Sequence, residues 1–194
     1  MKAMFIDGGH IYLRAPNKED LNGNWYAWLN DPVVTRYQNK GIFPNTREKQ
    51  KIYFHSMIDS KNDVIFAIVE KKRGKHIGSV GLHGIDWVHR SCDLGIVIGE
   101  KKYWGKGYGK LAWNMIAYYG LKILNLHRIR ATVFEGNTAS FRSARASGFK
   151  NEGVMRDFFF KNGKYHSALS MSILNNEFKE FFMKGARSNA GKDR

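Results

Sequence analysis

The nine residues KKYWGKGYG, Lys101 to Gly109, alternate glycine with lysine and aromatic side chains. They follow an apolar run that alternates like a strand and precede one whose apolar residues recur at helical spacing. Strand, glycine-rich turn and helix together can hold an anion. The first N–H groups of a helix have no partner inside it, its dipole favours negative charge there, and glycine lets the backbone approach a pyrophosphate with no Cβ in the way. Two familiar phosphate loops do not fit. A Walker A loop needs glycine five residues before its Gly–Lys pair and Ser or Thr after it. Around Gly109–Lys110 those positions hold Trp104 and Leu111. The dinucleotide fingerprint G-x-G-x-x-G would need a glycine where Lys110 stands.

The elements that must position this turn read as β-α-α-β-β-β-α-β-α-β-β, a mixed α/β sheet in one domain over residues 1–183. HIYLRAP, residues 10–16, alternates and stops at proline. NKEDLNGNWYAWLND reads as one helix with Leu21, Trp25, Trp28 and Leu29 on one face. TREKQKIYFHSMIDS reads as a second, capped by Thr46, with Ile52, Tyr53 and Met57 as its apolar face. DVIFAIVEK and HIGSVGLHGID flank the turn signal KKRGK. In SCDLGIVIG, Cys92, Leu94, Ile96 and Ile98 share one face while Asp93, Gly95 and Val97 take the other. From Tyr108 to Leu124 the period becomes helical, through Leu111, Ala112, Met115, Ile116, Tyr119 and Ile123. HRIRATVFE is a strand, TASFRSARASG a short helix closed by Gly148, and two strands follow around Asn162–Gly163.

A net charge of +15 asks for anionic partners: nucleic acid, an acidic surface or a phosphorylated small molecule. Basic residues are spread along the chain, so charge alone does not choose among them. Residues 184–194 read as a basic, flexible tail. No run approaches the roughly 20 apolar residues of a membrane span, and the N-terminus lacks an apolar signal region. A cytoplasmic protein without a membrane partner is the expectation. The one cysteine, Cys92, cannot form an internal disulfide and reads as a buried structural thiol. No cluster reads as a metal site.

The turn and its surroundings resemble the GCN5-related N-acetyltransferase (GNAT) superfamily, in particular its ribosomal-protein-acetyltransferase-like branch, with similarity also to spermidine acetyltransferases. That superfamily carries [Q/R]-x-x-G-x-[G/A] between a central strand and the next helix. Here the segment is Trp104-Gly105-Lys106-Gly107-Tyr108-Gly109, followed by Lys110. GIVIG upstream, ILNLHRIRATVFEGNTAS downstream and SGFKNEGVMRDFFFKNGKYHSALSMSIL match the family across roughly the C-terminal 110 residues. WYAWLNDPVVTRY resembles the first helix of the same branch. The resemblance implies an acetyl-CoA-dependent acetyltransferase whose turn binds the pyrophosphate of the cosubstrate. Trp104 stands in the Gln/Arg place, which removes the usual polar side chain.

Acetyl transfer from a thioester to an amine makes three demands. The ammonium must lose a proton, the developing oxyanion must be stabilised, and the leaving thiolate can take a proton. Asp93 matches the carboxylate base of the superfamily's histone acetyltransferases, and Glu135 is the competing base. A carboxylate at Asp93 could equally tie down an adjacent strand. His83 and His89 are candidate proton relays. The resemblance puts the oxyanion donor on the backbone near Val97–Ile98, and Asn137 and Ser140 against the pantetheine arm; Asn137 or Thr138 can also cap a helix. Where many members carry a tyrosine acid this chain has Ala144, which leaves Ser140, Ser143, Tyr165 or no acid at all.

The acceptor is a primary amine. The acidic positions of the spermidine enzymes correspond to Gly81 and Gly84 here, and a +15 chain repels a polycation. An amino-sugar nucleotide or other small amine is the expectation, with a protein N-terminus as the alternative and Trp25, Trp28, Tyr37 and Phe43 on the acceptor side. A homodimer is compatible with the sequence. The non-enzyme alternative, a basic nucleic-acid-binding module, lacks an RNP-like strand pair, a zinc site and a recognition helix.

Overall fold

The computed structural model describes residues 4–182. The basic tail 184–194 lies outside them. Eight strands form one sheet: β1 (Ile6–Asp7), β2 (Ile11–Arg14), β3 (Val64–Glu70), β4 (Lys75–Asp86), β5 (Ser91–Ile98), β6 (Arg128–Phe134), β7 (Lys150–Lys161) and β8 (Lys164–Leu174). Their spatial order is β1-β2-β3-β4-β5-β6-β8-β7. Neighbours are antiparallel except β5 and β6, which run parallel. The helices are α1 (Lys18–Asn22), α2 (Trp25–Trp28), α3 (Arg47–Asp59), α4 (Tyr108–Tyr118) and α5 (Thr138–Ala146). Among the described residues no helix is long and apolar enough to cross a membrane.

Strand alternation sends successive side chains to opposite faces, and the two faces build separate apolar clusters. Val64, Phe66, Cys92, Leu94, Ile96 and Ile98 join α4 and Phe149 on one face. Ile65 and Val97 join Trp25, Trp28 and Phe54 on the other. Cys92 is fully buried, and burial, with Asp93 adding, pushes its thiol up to about 12. It is a structural apolar residue.

The structure departs from the sequence reading in four places. A two-residue strand, β1, precedes the expected first strand and pairs with it, Ile6 against Leu13. The expected first helix breaks in two at Gly23, whose extended backbone (φ −84°, ψ −160°) ends α1. The break separates two anchors. Asp20 of α1 accepts two hydrogen bonds from the Arg14 guanidinium at 2.6 and 2.7 Å and lies 3.1 Å from His76, while Trp25 and Trp28 of α2 pack edge-on to the His76 ring. In α3, Gln50 and Phe54 are buried and Ile52 points outward, so the buried stripe is offset from the one expected. Finally, α4 widens into a π-turn over Tyr119–Ile123. That extra residue per turn rotates Ile123 to the exterior. Gly120 sits in the π-turn because a Cβ there would meet Ile129 and Leu82 at 2.7 and 2.9 Å.

Candidate active site

The one parallel pair in the sheet opens the site. β5 and β6 pair only through Ser91–Arg128, Cys92–Ile129 and Asp93–Arg130. Beyond that point β5 runs on to Ile98 and β6 to Phe134, and the strands splay. Backbone groups of β5 that face the gap lack a strand partner there, so an extended amide-bearing chain can add to that edge. Two cavities, of about 440 and 460 Å³, meet in the gap. Tyr37, Ile96, Val97, Trp113, Asn137 and Ser140 line both.

The 460 Å³ cavity follows the glycine turn. Val97, Ile98, Trp104, Gly105, Gly107, Tyr108, Gly109 and Lys110 form one wall, and Asn137, Ser140 and Ser143 of the α5 region face them. Gly105 and Gly107 have φ of +72° and +79°, and a Cβ at either would meet nothing within 4 Å. The backbone conformation, not crowding, selects glycine here. Gly107 is the N-cap of α4 and brings no capping side chain, so the amides of Tyr108, Gly109 and Lys110 stay open for an anion. Three cations, Arg36, Lys110 and Arg142, line the same cavity.

The Trp104 indole N–H donates to the Ile98 carbonyl at 2.7 Å. The tryptophan therefore fastens the turn to the end of β5 and directs its polar atom into the protein. Asn137 caps α5 by accepting from the Ser140 amide at 3.2 Å. Lys106 stands apart from the cavity wall, with its ammonium 5.4 Å above the Tyr103 ring.

The 440 Å³ cavity lies on the other side of the gap. Its walls come from α2 and α3 (Trp25, Tyr53), from the loop before α3 (Tyr37 to Lys40) and from Phe134, Phe158 and Phe159. Phe134 stacks on Phe159 at 5.2 Å, and Tyr37 lies 5.5 Å from Phe134. Lys161 holds the loop in place by donating to the carbonyls of Thr35 at 2.6 Å and Gln38 at 2.9 Å. Desolvation lowers the Lys161 pKa below the usual lysine value.

The remaining sequence candidates divide clearly. Asp93 lies at the paired end of β5, half-exposed, 2.9 Å from Arg130 of β6. It belongs to neither cavity wall, and its observed partner is the adjacent strand. Glu135 is exposed, also outside both walls, and its amide continues the pairing to the Ser167 carbonyl. His89 sits in the β4–β5 turn, where its amide donates to Asp86. His83 does line the 440 Å³ cavity. Trp28 is a core residue against Gly99, and Phe43 is exposed away from the cavity, so of the four aromatics Trp25 and Tyr37 reach it. Ala144 is fully buried in the core and lines neither cavity, whereas Ser140 and Ser143 line the cavity along the turn. Tyr165 packs on Phe160 at 5.0 Å on the β7–β8 hairpin, outside both cavities. Arg36, Gln38, Asn39 and Lys40 were not anticipated, because their loop has no periodicity to read.

The splayed parallel pair, the left-handed glycine turn and the anion-ready helix start occur together over a stretch that matches a known family. The acetyltransferase (GNAT) domain family matches residues 10–150. The chain is a GNAT acetyltransferase. It is 32% identical over 175 residues to the uncharacterized N-acetyltransferase p20 of Bacillus licheniformis, covering 87% of this chain and 94% of that one. It is 33% identical over 168 residues to the spermidine N(1)-acetyltransferase of Escherichia coli K12, covering 87% and 88%. The fold superposes on the spermidine N-acetyltransferase of Vibrio cholerae in complex with CoA and spermine with a TM-score of 0.79, at 26% identity over 87% of this chain and 97% of the other. Like GNAT acetyltransferases in general, it uses acetyl-CoA as acetyl donor. The residues present fit that donor: glycines with open space at the Cβ position, unpaired helix amides and three cations suit a pyrophosphate.

Proposed function

We propose that this acetyltransferase modifies the primary amine of a small neutral or anionic molecule, an amino-sugar nucleotide foremost. The observation that carries the reading is the wall of the 440 Å³ cavity. Among the described residues it holds Lys40 and His83 but no Asp or Glu. A polyamine bound in a cleft needs carboxylates against its spare ammonium groups, each such hydrogen bond contributing about 1.5–3 kcal/mol. The resemblance to spermidine enzymes implies acidic positions that correspond here to Gly81 and Gly84. The aromatic faces of Trp25, Tyr37, Phe134 and Phe159 suit a flat or ring-shaped acceptor, and Lys40 suits an anionic one.

In this reading the chain's own groups have separate tasks. The turn 104–110, with Arg36 and Arg142, holds the pyrophosphate of acetyl-CoA. Asn137 and Ser140 lie beside the pantetheine arm, and the open edge of β5 near Val97–Ile98 supplies a backbone N–H to the thioester carbonyl. The aromatic cavity orders the acceptor so that its nitrogen meets that carbonyl in the gap. A free thiol pKa near 8.5 makes CoA a tolerable leaving group with no protein acid, which agrees with alanine at 144.

Kinship to spermidine enzymes makes a polyamine the second reading. An acceptor panel with thiol detection separates the two: UDP- and dTDP-amino sugars, spermidine, spermine and peptides with free N-termini. Each missing carboxylate contact corresponds to roughly 10- to 100-fold. An amino-sugar nucleotide is therefore expected to exceed spermidine in kcat/KM by about 100-fold. Spermidine as the best acceptor would refute the proposal.

A further inference from the structure

Asp93 and Glu135 stand outside both cavities, yet the acceptor ammonium must lose a proton before it can attack. His83 lines the 440 Å³ cavity. β4 is irregular between His83 and Asp86, with Gly84 in the left-handed region at φ +57°. Bulges of this kind re-aim side chains and concentrate beside active sites. The His83 imidazole is laid flat along the sheet toward β5. A Cβ at Gly81 would come within 3.1 Å of Nε2, and one at Gly95 within 3.3 Å of both Nε2 and Cδ2. Two glycines on adjacent strands thus leave the floor on which the ring rests, and Gly81, His83 and Gly95 all line the acceptor cavity.

The other ring nitrogen is held from behind. Nδ1 lies 3.3 Å from Oδ1 of Asp63, which also accepts from the Gly84 amide at 3.1 Å. The second Asp63 oxygen accepts from the Ser60 hydroxyl at 2.7 Å. Burial raises the Asp63 pKa, but these hydrogen bonds outweigh it and hold the group below the usual carboxylate value. Asp63 is therefore an anion at neutral pH and can only accept. Nδ1 must donate to it, which leaves the lone pair of the neutral ring on Nε2, facing the cavity.

We infer that His83 is the proton acceptor of the transfer and that Asp63 is its positioning residue. The inference rests on the reading of the 440 Å³ cavity as the acceptor site. Nε2 takes one proton from the acceptor ammonium. The freed nitrogen lone pair forms the C–N bond to the acetyl carbon as the C–S bond breaks and the electron pair leaves on sulfur. The amide nitrogen releases its second proton to solvent, the thiolate takes up one from solvent, and His83 returns its own to solvent. The charged and titratable groups around the imidazole are Asp63 behind it, Asp93 opposite on β5 with Arg130 as its partner, Tyr53 of α3 and Lys40 of the covering loop.

Two measurements decide the matter, one of them independent of any acceptor. Long-range 1H–15N correlation spectra of the full chain should show the Nδ1–H tautomer for His83 when the ring is neutral; the Nε2–H tautomer would overturn the inference. The second compares wild type with His83→Gln and Asp63→Asn, using acetyl-CoA with a UDP-amino sugar, or with spermidine if the panel selects it. His83→Gln should bind acetyl-CoA as wild type does and lose about 100-fold in kcat/KM at pH 7. The deficit should shrink above the pKa of the acceptor amine, because the nucleophile then arrives without its proton. Asp63→Asn should lower kcat while leaving acetyl-CoA affinity as in wild type and should lose the Nδ1–H tautomer preference, since it removes the acceptor that holds that proton. A His83→Gln enzyme within threefold of wild type at pH 7 would overturn the assignment. Absence of turnover by the wild type with every amine would refute the acceptor reading, while the tautomer spectrum still decides the role of His83.

Discussion

Gly107→Glu tests the anion cradle, and Gly107→Ala supplies its control. Both variants force a non-glycine residue to φ +79°, at about 1–2 kcal/mol. For a chain of this size that is a fall of roughly 2–8 °C in Tm. The Cβ that both variants add has no neighbour within 4 Å. The variants differ in side-chain length and in charge, and the salt dependence isolates the charge. A carboxylate about 5 Å from one phosphate charge costs roughly 3 kcal/mol at an effective dielectric of about 20. Gly107 is exposed, so solvent and salt reduce this to about 1–2 kcal/mol per phosphate. Two phosphates give about 2–4 kcal/mol, or roughly 30- to 1,000-fold in Kd. Titration calorimetry with CoA at low and at high salt reads this directly. Gly107→Glu should bind far more weakly than Gly107→Ala, and the gap should narrow as salt rises. Equal affinities for the two variants at low salt would show that the pyrophosphate lies elsewhere and refute the cradle.

Other perturbations test the scaffold. Asp20 is nearly buried; desolvation raises its pKa, but hydrogen bonds from Arg14 and His76 outweigh that and hold it far below the usual carboxylate value. A depressed carboxyl stabilises the fold above its unfolded pKa of about 3.9, and that contribution fades as the pH falls from there toward the folded value. Asp20→Ala should lose about 3–5 kcal/mol at pH 7, because it strands the buried Arg14 charge, and its stability should vary less with pH below 4 than that of the wild type in urea titrations. Trp104→Phe removes the donor to the Ile98 carbonyl; about 1 kcal/mol of stability should go with it, seen as a lower urea midpoint. Cys92 should resist a thiol-labelling disulfide reagent in the native protein at pH 8 and react once urea unfolds it, given its full burial and raised pKa.

Much of the fold was legible because strand and helix periods were regular wherever one face is buried. The alternation in SCDLGIVIG placed Cys92 and Val97 on opposite faces, as observed. The positive φ at Gly74, Asn162, Gly163 and Gly148 falls on the turns and the helix end that glycine and asparagine marked. What failed did so for local reasons. Gly23 could be tolerated inside a helix, and only the Arg14–Asp20–His76 cluster shows why the chain bends there instead. Ile123 kept the helical period in the sequence, but the π-turn that makes room for Gly120 shifted its phase. Asp93 matched a family position, and the Arg130 contact it makes at the paired end of β5 is the strand tie that the alternative reading expected. No spacing rule could connect His83 with Asp63, twenty residues apart across the β3–β4 hairpin.

Donor and acceptor are read with different ease because the chain holds them by different means. The proposed pyrophosphate cradle is backbone: two glycines in left-handed conformation and the free amides of a helix start. Such a device leaves a trace in the sequence, since few residues other than glycine adopt those dihedrals at low cost. The proposed acceptor cavity is built from side chains of many separate segments, including an aperiodic loop pinned by Lys161. Loop members such as Asn39 and Lys40, exposed and outside any strand or helix, can change without disturbing either, whereas Trp25 and Val80 belong to the core. Acceptor preference can therefore drift among relatives that keep the same turn, which is why similarity to spermidine enzymes and a cavity without carboxylates occur together in this chain. Replacing Gly84 or Gly81 with Glu is not an equal route back to polyamine binding. A Cβ at Gly81 would press on the Val64 carbonyl at 2.7 Å and on the His83 ring, while one at Gly84 meets nothing within 4 Å but sits at φ +57°. Both changes meet a physical obstacle, one of packing and one of backbone, and the obstacle at Gly81 lies against the imidazole assigned to the proton transfer.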